Sequence, residues 1–116
     1  MNSVTFVKGA SGRITGFVSS GHAMSSADGT YDLVCSAVSA LTITAANALE
    51  TVAGIVPRTE MEDGYLSCFL PGTPDPKQQE KAEIIFETIL TGLKNIEEAY
   101  PEYVRVEMRN GGRANA

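Results

Sequence analysis

One histidine and two cysteines are the residues of this 116-residue chain best suited to nucleophilic chemistry. Thirteen positions separate His22 from Cys35, with the stretch AMSSADGTYDLV between them. A thiol becomes an effective nucleophile when a base takes its proton, and imidazole can do this near neutral pH. The pair is therefore a candidate base and nucleophile. Spacing alone favours the alternative, a small buried cysteine and a solvated surface histidine.

The residues before Cys35 predict a helix start, and two roles compete for Asp32. As N-cap it would make residues 33–35 the first helical residues, whose free N–H groups would stabilise a thiolate and receive an oxyanion. As a third catalytic member it would orient His22 instead. Gly21 and Gly29 flank a stretch that could close on an extended peptide once substrate is present.

Cys68 and the residue types that can bind a metal give little indication of function. Cys68 lies between Leu66 and Leu70 in a strand-like run, which favours structural packing. Without a secretion signal, both cysteines are expected to be free thiols. One histidine and two distant cysteines give no zinc-ligand spacing, so we expect no metal and no cofactor.

Composition and charge narrow the class of protein. Apolar residues make up 43% of the chain and charged residues 20%, which predicts one ordered domain. The net charge of −5 disfavours binding to nucleic acid or anionic lipid and suits a basic peptide. Arg105, Arg109 and Arg113 are interpreted as part of a solvated terminus. We see no leader and no segment near the length of a membrane span, so we expect a cytoplasmic protein.

The elements that would position the candidate pair follow from periodicity. Residues 4–8 and 13–19 alternate as strands around the turn GASG. A helical stripe then runs from Asp32 to Gly54, with small residues that allow close packing on a sheet. Asp63 and Gly64 predict a second hairpin.

The second half of the chain completes the fold prediction. Asp75 and Pro76 open a second helix, which Pro101 ends. Gly92 inside that helix indicates close packing against a neighbour. After a last strand, residues 109–116 are predicted to be a frayed tail. The order β-β-α-β-β-α-β predicts a single α+β domain over residues 1–116, a mostly antiparallel sheet with two main helices on one face.

Several segments together resemble one family. SGHA, GTYDLVCSAVSALT, NALE, GYL and AYPEYVRV, spread over nearly the whole chain, are similar to the ribosomal-processing cysteine protease family, called Prp. The family places a Gly-His pair at a strand end and a cysteine near a helix start. Here the stretch between His22 and Cys35 is slightly longer than is common, and Ser36 stands where Ala is common.

The resemblance implies a cytoplasmic, homodimeric cysteine endopeptidase without a cofactor. Its implied partner is the N-terminal extension of a basic protein, large-subunit ribosomal protein twenty-seven, cut after a bulky aromatic residue. His22 and Cys35 match the family's base and nucleophile. The remaining candidates match or neighbour its motif as supporting or substrate-binding positions: Gly21, Asp32, Ser36 and Ser39.

Two other functions remain open on the sequence alone. A non-catalytic, ribosome-associated module could clamp an extended peptide, with His22 and Cys35 lining its site. A redox sensor based on Cys35 would oxidise reversibly without cutting a peptide. The absence of a nearby resolving cysteine in the sequence makes the redox sensor the weakest of the three.

Overall fold

The chain folds into five strands and two helices in the predicted order. The computed structural model describes residues 1–21 and 28–111. The elements are β1 Asn2–Lys8, β2 Ile14–Gly21, α1 Thr30–Thr51, β3 Arg58–Glu62, β4 Tyr65–Phe69, α2 Pro76–Ala99 and β5 Val104–Asn110.

The strands form one sheet in the order β3-β4-β2-β1-β5. All neighbours are antiparallel except β1 and β5, which run parallel with Asn2 opposite Val104. The mostly antiparallel α+β architecture is therefore confirmed. This order places β1 between β2 and β5, so the start of the chain lies inside the sheet.

Both helices cover the same face of this sheet. Phe6 and Phe17 project from adjacent strands towards α2, where the rings of Phe17 and Phe86 meet edge to face at 6.3 Å. These three side chains are fully buried, and Val38 of α1 belongs to the same core. Removing this apolar surface from water is the main driving force that holds the helices on the sheet.

The two helices also pack on each other at Gly92 of α2. A Cβ atom at this position would lie 3.1 Å from Cδ1 of Leu41, so the glycine lets α1 approach closely. The close packing predicted for Gly92 is confirmed. By length and composition α1 also meets the criterion for a membrane span, contrary to our expectation, but its buried stripe faces the core of the domain.

The second helix begins as predicted. The Asp75 carboxylate accepts a hydrogen bond from the Gln78 backbone N–H at 2.8 Å, while the Gln78 side chain accepts one from the Asp75 N–H at 3.0 Å. This reciprocal capping box satisfies donors that the first helical turn cannot. Pro76 follows as the first helical residue, and the helix ends before Tyr100 and Pro101.

The predicted start of α1 is wrong by three residues. The N-cap is Gly29, which has a left-handed φ of 77° and contributes no side-chain cap. Asp28 supplies an acceptor instead, because its Oδ1 lies 3.0 Å from the Thr30 N–H. Asp32 is consequently the third helical residue and not the cap.

The predicted frayed tail begins too early. Arg109 and Asn110 belong to β5 and pair with Val7 and Lys8 of β1. The Gly111 N–H then donates to the Lys8 carbonyl at 2.6 Å. The parallel pairing of β5 with β1 therefore continues to Asn110. Residues 112–116 lie outside the described residues.

Candidate active site

Cys35 lies on α1, in a groove between this helix and the sheet. It is the sixth helical residue and is partly buried. The groove has a volume of about 240 Å³. Its lining residues come from β1, β2, α1 and the β3–β4 hairpin: Asn2, Ser19, Gly21, Cys35, Val38, Ser39, Thr42, Ile43, Met61, Glu62, Gly64, Tyr65 and Leu66.

The groove combines apolar walls with a few polar groups near the thiol. Ile43, Met61 and Tyr65 supply exposed apolar surface from α1 and the β3–β4 hairpin. Glu62 adds a carboxylate at the same hairpin. A cleft of this kind can take a bulky apolar side chain while its polar groups fix the orientation of the ligand.

The sulfur of Cys35 accepts a hydrogen bond from the sheet. The side-chain amide of Asn2 donates to Cys35 Sγ at 3.3 Å and also approaches the Tyr103 carbonyl at 3.3 Å. Asn2 is 6% exposed, so this donor is shielded from water. A shielded donor interacts more strongly with a charged sulfur than an exposed donor does.

Tyr31 contacts the same thiol from within the helix. It lies one turn before Cys35 and is 2% exposed, and its hydroxyl is within hydrogen-bonding reach of Cys35. Burial raises the pKa of Tyr31 to about 12, and the bond to Cys35 together with the charges of Cys35 and Asp32 adds to the effect. The phenol therefore stays protonated near neutral pH.

The oxyanion site predicted at residues 33–35 is wrong. Because α1 begins at Thr30, the Leu33 N–H already donates to the Gly29 carbonyl at 3.2 Å. Val34 and Cys35 lie further inside the helix, where each N–H bonds the carbonyl four residues earlier. Cys35 also lies beyond the first turn, where the helix dipole acts most strongly.

Gly21 lines the groove and directly precedes His22 in the chain. Its N–H donates to the Gly64 carbonyl at 2.8 Å, which ties the end of β2 to the β3–β4 turn. An added Cβ at Gly21 would lie 2.8 Å from Asn2 Oδ1, so a larger residue would force the Asn2 side chain to shift. His22, the next residue, and the stretch up to Ala27 lie outside the described residues.

The other predicted positions divide into two groups. Ser39 lies one turn after Cys35 and lines the groove. Ser36 and Asp32 are exposed on α1 and do not line it. The structure thus brings Gly21 and Ser39 together with Cys35, and leaves Asp32 and Ser36 beside the groove.

Cys68 differs from Cys35 in its accessibility, because it does not line the groove. It is fully buried in the core and pairs across the sheet with Phe17. Burial raises the pKa of Cys68 to about 11, which keeps this thiol protonated. Both cysteines are free thiols, and the structural role predicted for Cys68 is confirmed.

A larger cavity, of about 890 Å³, lies away from both cysteines. It is bounded by the β3–β4 hairpin and the start of α2, and its Arg13 contacts Gln79 and Glu83. It contains no nucleophilic thiol, so we assign the chemistry to the smaller groove. Within residues 1–21 and 28–111, no three His, Cys, Asp or Glu side chains cluster to hold a metal ion.

Two residues at the thiol were missed by sequence reasoning. Tyr31 could have been found, because residues four apart on a helix share a face, had the helix start been placed before it. Asn2 carried no such signal, because it is 33 positions from Cys35 and reaches it only through the sheet.

Comparisons with known proteins identify a family that matches most of the chain. The family model described as cysteine protease Prp matches residues 1–105. The ribosomal processing cysteine protease Prp of Bacillus subtilis is 34% identical over 95 residues, covering 80% of this chain and 84% of that protein.

Solved structures show the same fold. SMU.848 from Streptococcus mutans has a TM-score of 0.80 at 31% identity, covering 96% of both chains. The essential ribosomal processing protease Prp from Staphylococcus aureus, in complex with a substrate peptide, has a TM-score of 0.78 at 25% identity, covering 93% of this chain and 99% of that one. A second structure of that protease holds a covalently linked product peptide, with a TM-score of 0.75 at 25% identity and the same coverage.

Proposed function

This chain belongs to the Prp family of cysteine proteases, and from that premise we propose that it removes the N-terminal extension of bacterial large-subunit ribosomal protein twenty-seven. The observation that carries the proposal is the position of Cys35. Its thiol lies in a groove and accepts a hydrogen bond there, whereas Cys68 is fully buried. Substrate and product peptides bound by the Staphylococcus aureus relative support the same use of this groove.

In the proposed reaction, His22 takes the proton of the Cys35 thiol. The thiolate attacks the scissile carbonyl carbon, and a carbon–sulfur bond forms as the carbon–nitrogen bond breaks. His22 gives its proton to the leaving amine, and then activates a water that hydrolyses the thioester. The position of Gly21, which lines the groove directly before His22 in the chain, supports this pairing.

The groove also supports a substrate class. Ile43, Met61 and Tyr65 offer apolar surface to a bulky side chain, which suits cleavage after an aromatic residue. Glu62 and the net charge of −5 favour a basic peptide. We assign Gly21 and Ser39 to substrate binding on this basis.

The proposal also covers the roles of Asp32 and Ser36 and the oligomeric state of the protein. Asp32 does not cap the helix, so orienting His22 is the role we keep for it, and Ser36 remains a supporting position beside Cys35. We further propose a cytoplasmic homodimer that does not bind nucleic acid directly. The fully exposed edge strand β3 supports a second copy as neighbour.

The test is cleavage of a peptide that spans the end of the ribosomal protein's extension, followed by mass spectrometry. We expect one cut by the wild type and by Cys68→Ala, and none by Cys35→Ala. Cys68→Ala is the matched control because it removes the buried thiol alone. Tight binding without a cut by both wild type and Cys35→Ala would replace the protease by a peptide-binding module.

A further inference from the structure

The environment of Cys35 raises the question of what stabilises its charged form. The helix dipole acts mainly on the first turn, and Cys35 lies beyond it. Acidic groups lie nearby instead: Asp32 is on the same helix and Glu62 lines the groove. A negative sulfur therefore needs specific hydrogen-bond donors.

We propose that Asn2 is a positioning residue for the nucleophile, holding the Cys35 sulfur in the groove and donating a hydrogen bond to its thiolate. Tyr31, one helical turn before Cys35 and with its hydroxyl within hydrogen-bonding reach of the sulfur, is the second donor in this proposal. The inference deepens the proposed function, because it assigns two residues that prepare Cys35 for attack. Neither residue was a candidate on the sequence.

The backbone around Asn2 fixes its side chain. Asn2 begins β1, where it lies opposite Gly21 of β2 on one side and Val104 of β5 on the other. Its own N–H donates to the Tyr103 carbonyl at 2.8 Å. With strands on both sides and 6% of its surface exposed, Asn2 presents its amide from a rigid position.

The orientation of the Asn2 amide follows from its neighbours. An asparagine amide has two N–H donors and one acceptor oxygen. The Nδ2 group faces Cys35 Sγ and the Tyr103 carbonyl, both at 3.3 Å. A carbonyl only accepts, so the reversed amide would place two acceptor oxygens together. The donating nitrogen is therefore held towards the sulfur.

The side chain of Tyr31 is also held in place by packing. Its ring packs edge to face against Tyr103, with centroids 5.5 Å apart and an interplanar angle of 76°. Burial raises the pKa of Tyr31 to about 12, so its hydroxyl keeps its proton where a thiolate forms. Tyr103 thus contacts both donors, one through its carbonyl and one through its ring.

The titratable groups around this sulfur come from several elements. Tyr31 and Asp32 belong to α1, Glu62 and Tyr65 approach from the β3–β4 hairpin, and Tyr103 precedes β5. Among these described neighbours no side chain is cationic. The described groups that favour a negatively charged Cys35 sulfur are therefore neutral hydrogen-bond donors.

The test measures the alkylation rate of Cys35 by iodoacetamide from pH 5 to 10, read by peptide mass spectrometry. Asn2→Leu keeps the approximate size of the side chain and removes the donor without adding a charge. We expect the pH midpoint of the rate to rise by about one unit or more, since a hydrogen bond to a charged group is worth that much. Tyr31→Phe removes one hydroxyl and should raise it in the same direction.

Thr15→Val is the matched control. The Thr15 hydroxyl donates to the Val7 carbonyl at 3.2 Å, so this variant also removes a side-chain bond to a backbone carbonyl, but far from Cys35. Its midpoint should equal that of the wild type. A wild-type midpoint in folded Asn2→Leu would overturn the proposal; if that variant does not fold, Asn2→Ala decides by the same criterion.

Alkylation requires no peptide substrate, so this result is independent of the proposed function. If the wild type does not cleave the ribosomal peptide but the midpoint rises in Asn2→Leu, the substrate is refuted and the role of Asn2 is retained. If the wild type cleaves the peptide and Asn2→Leu shows no shift, the role of Asn2 is refuted and the substrate is retained.

Discussion

The buried thiol of Cys68 predicts a loss of stability at alkaline pH. Burial raises the pKa of Cys68 from an ordinary 9.0 to about 11. An unfolded chain therefore loses this proton near pH 9, while the folded protein keeps it until about pH 11. The stabilisation is complete below pH 9 and is lost as the pH rises to 11. Two pKa units correspond to about 3 kcal/mol of the free energy of unfolding.

Urea denaturation at pH 8, 9, 10 and 11, followed by circular dichroism, measures this loss. Cys68→Ala should start from a lower stability, because it leaves a cavity in the core, but should lose about 2 kcal/mol less than the wild type between pH 8 and 11. Cys35→Ala keeps the buried thiol and should still lose stability above pH 9. Parallel curves for wild type and Cys68→Ala would refute the reasoning.

Two further changes test how the helices and the groove are held. Asp75→Ala removes the carboxylate that accepts the Gln78 N–H and should lower the free energy of unfolding by about 1 kcal/mol, measured with urea, without slowing peptide cleavage; unchanged stability would contradict the capping role. Gly64→Ala should cost more stability than Gly12→Ala and should slow cleavage. Both glycines have positive φ, but only at Gly64 would the new Cβ meet backbone, the Gly21 carbonyl oxygen at 2.8 Å; equal losses in the two variants would argue against that contact.

Short-range signals explain what could be predicted of the fold. The Asp63-Gly64 hairpin and the Asp75-Pro76 helix start are confirmed, because turns and caps depend on residues only a few positions apart. The helix start at Asp32 failed for the same reason. Asp28 and Gly29 offered a competing local solution, a polar side chain followed by a residue free to adopt positive φ.

For the candidate site too, some features could be predicted from the sequence and others could not. The sequence was sufficient to select Cys35 over Cys68 and, through resemblance, to indicate a cysteine protease family that the comparisons confirm. The role of His22 stays a prediction, because this residue lies outside the described part of the chain. Residue types and short motifs carry this information without any tertiary contact.

Only the tertiary structure decided what surrounds the thiol. Asn2 reaches Cys35 because β1 lies between β2 and β5, and this order depends on pairing between residues about a hundred positions apart. Such pairing is set by burial of one sheet face and by register, neither of which a local pattern specifies. The sequence determined which residue could be the nucleophile, and the packing of the sheet against α1 determined which groups hold its sulfur.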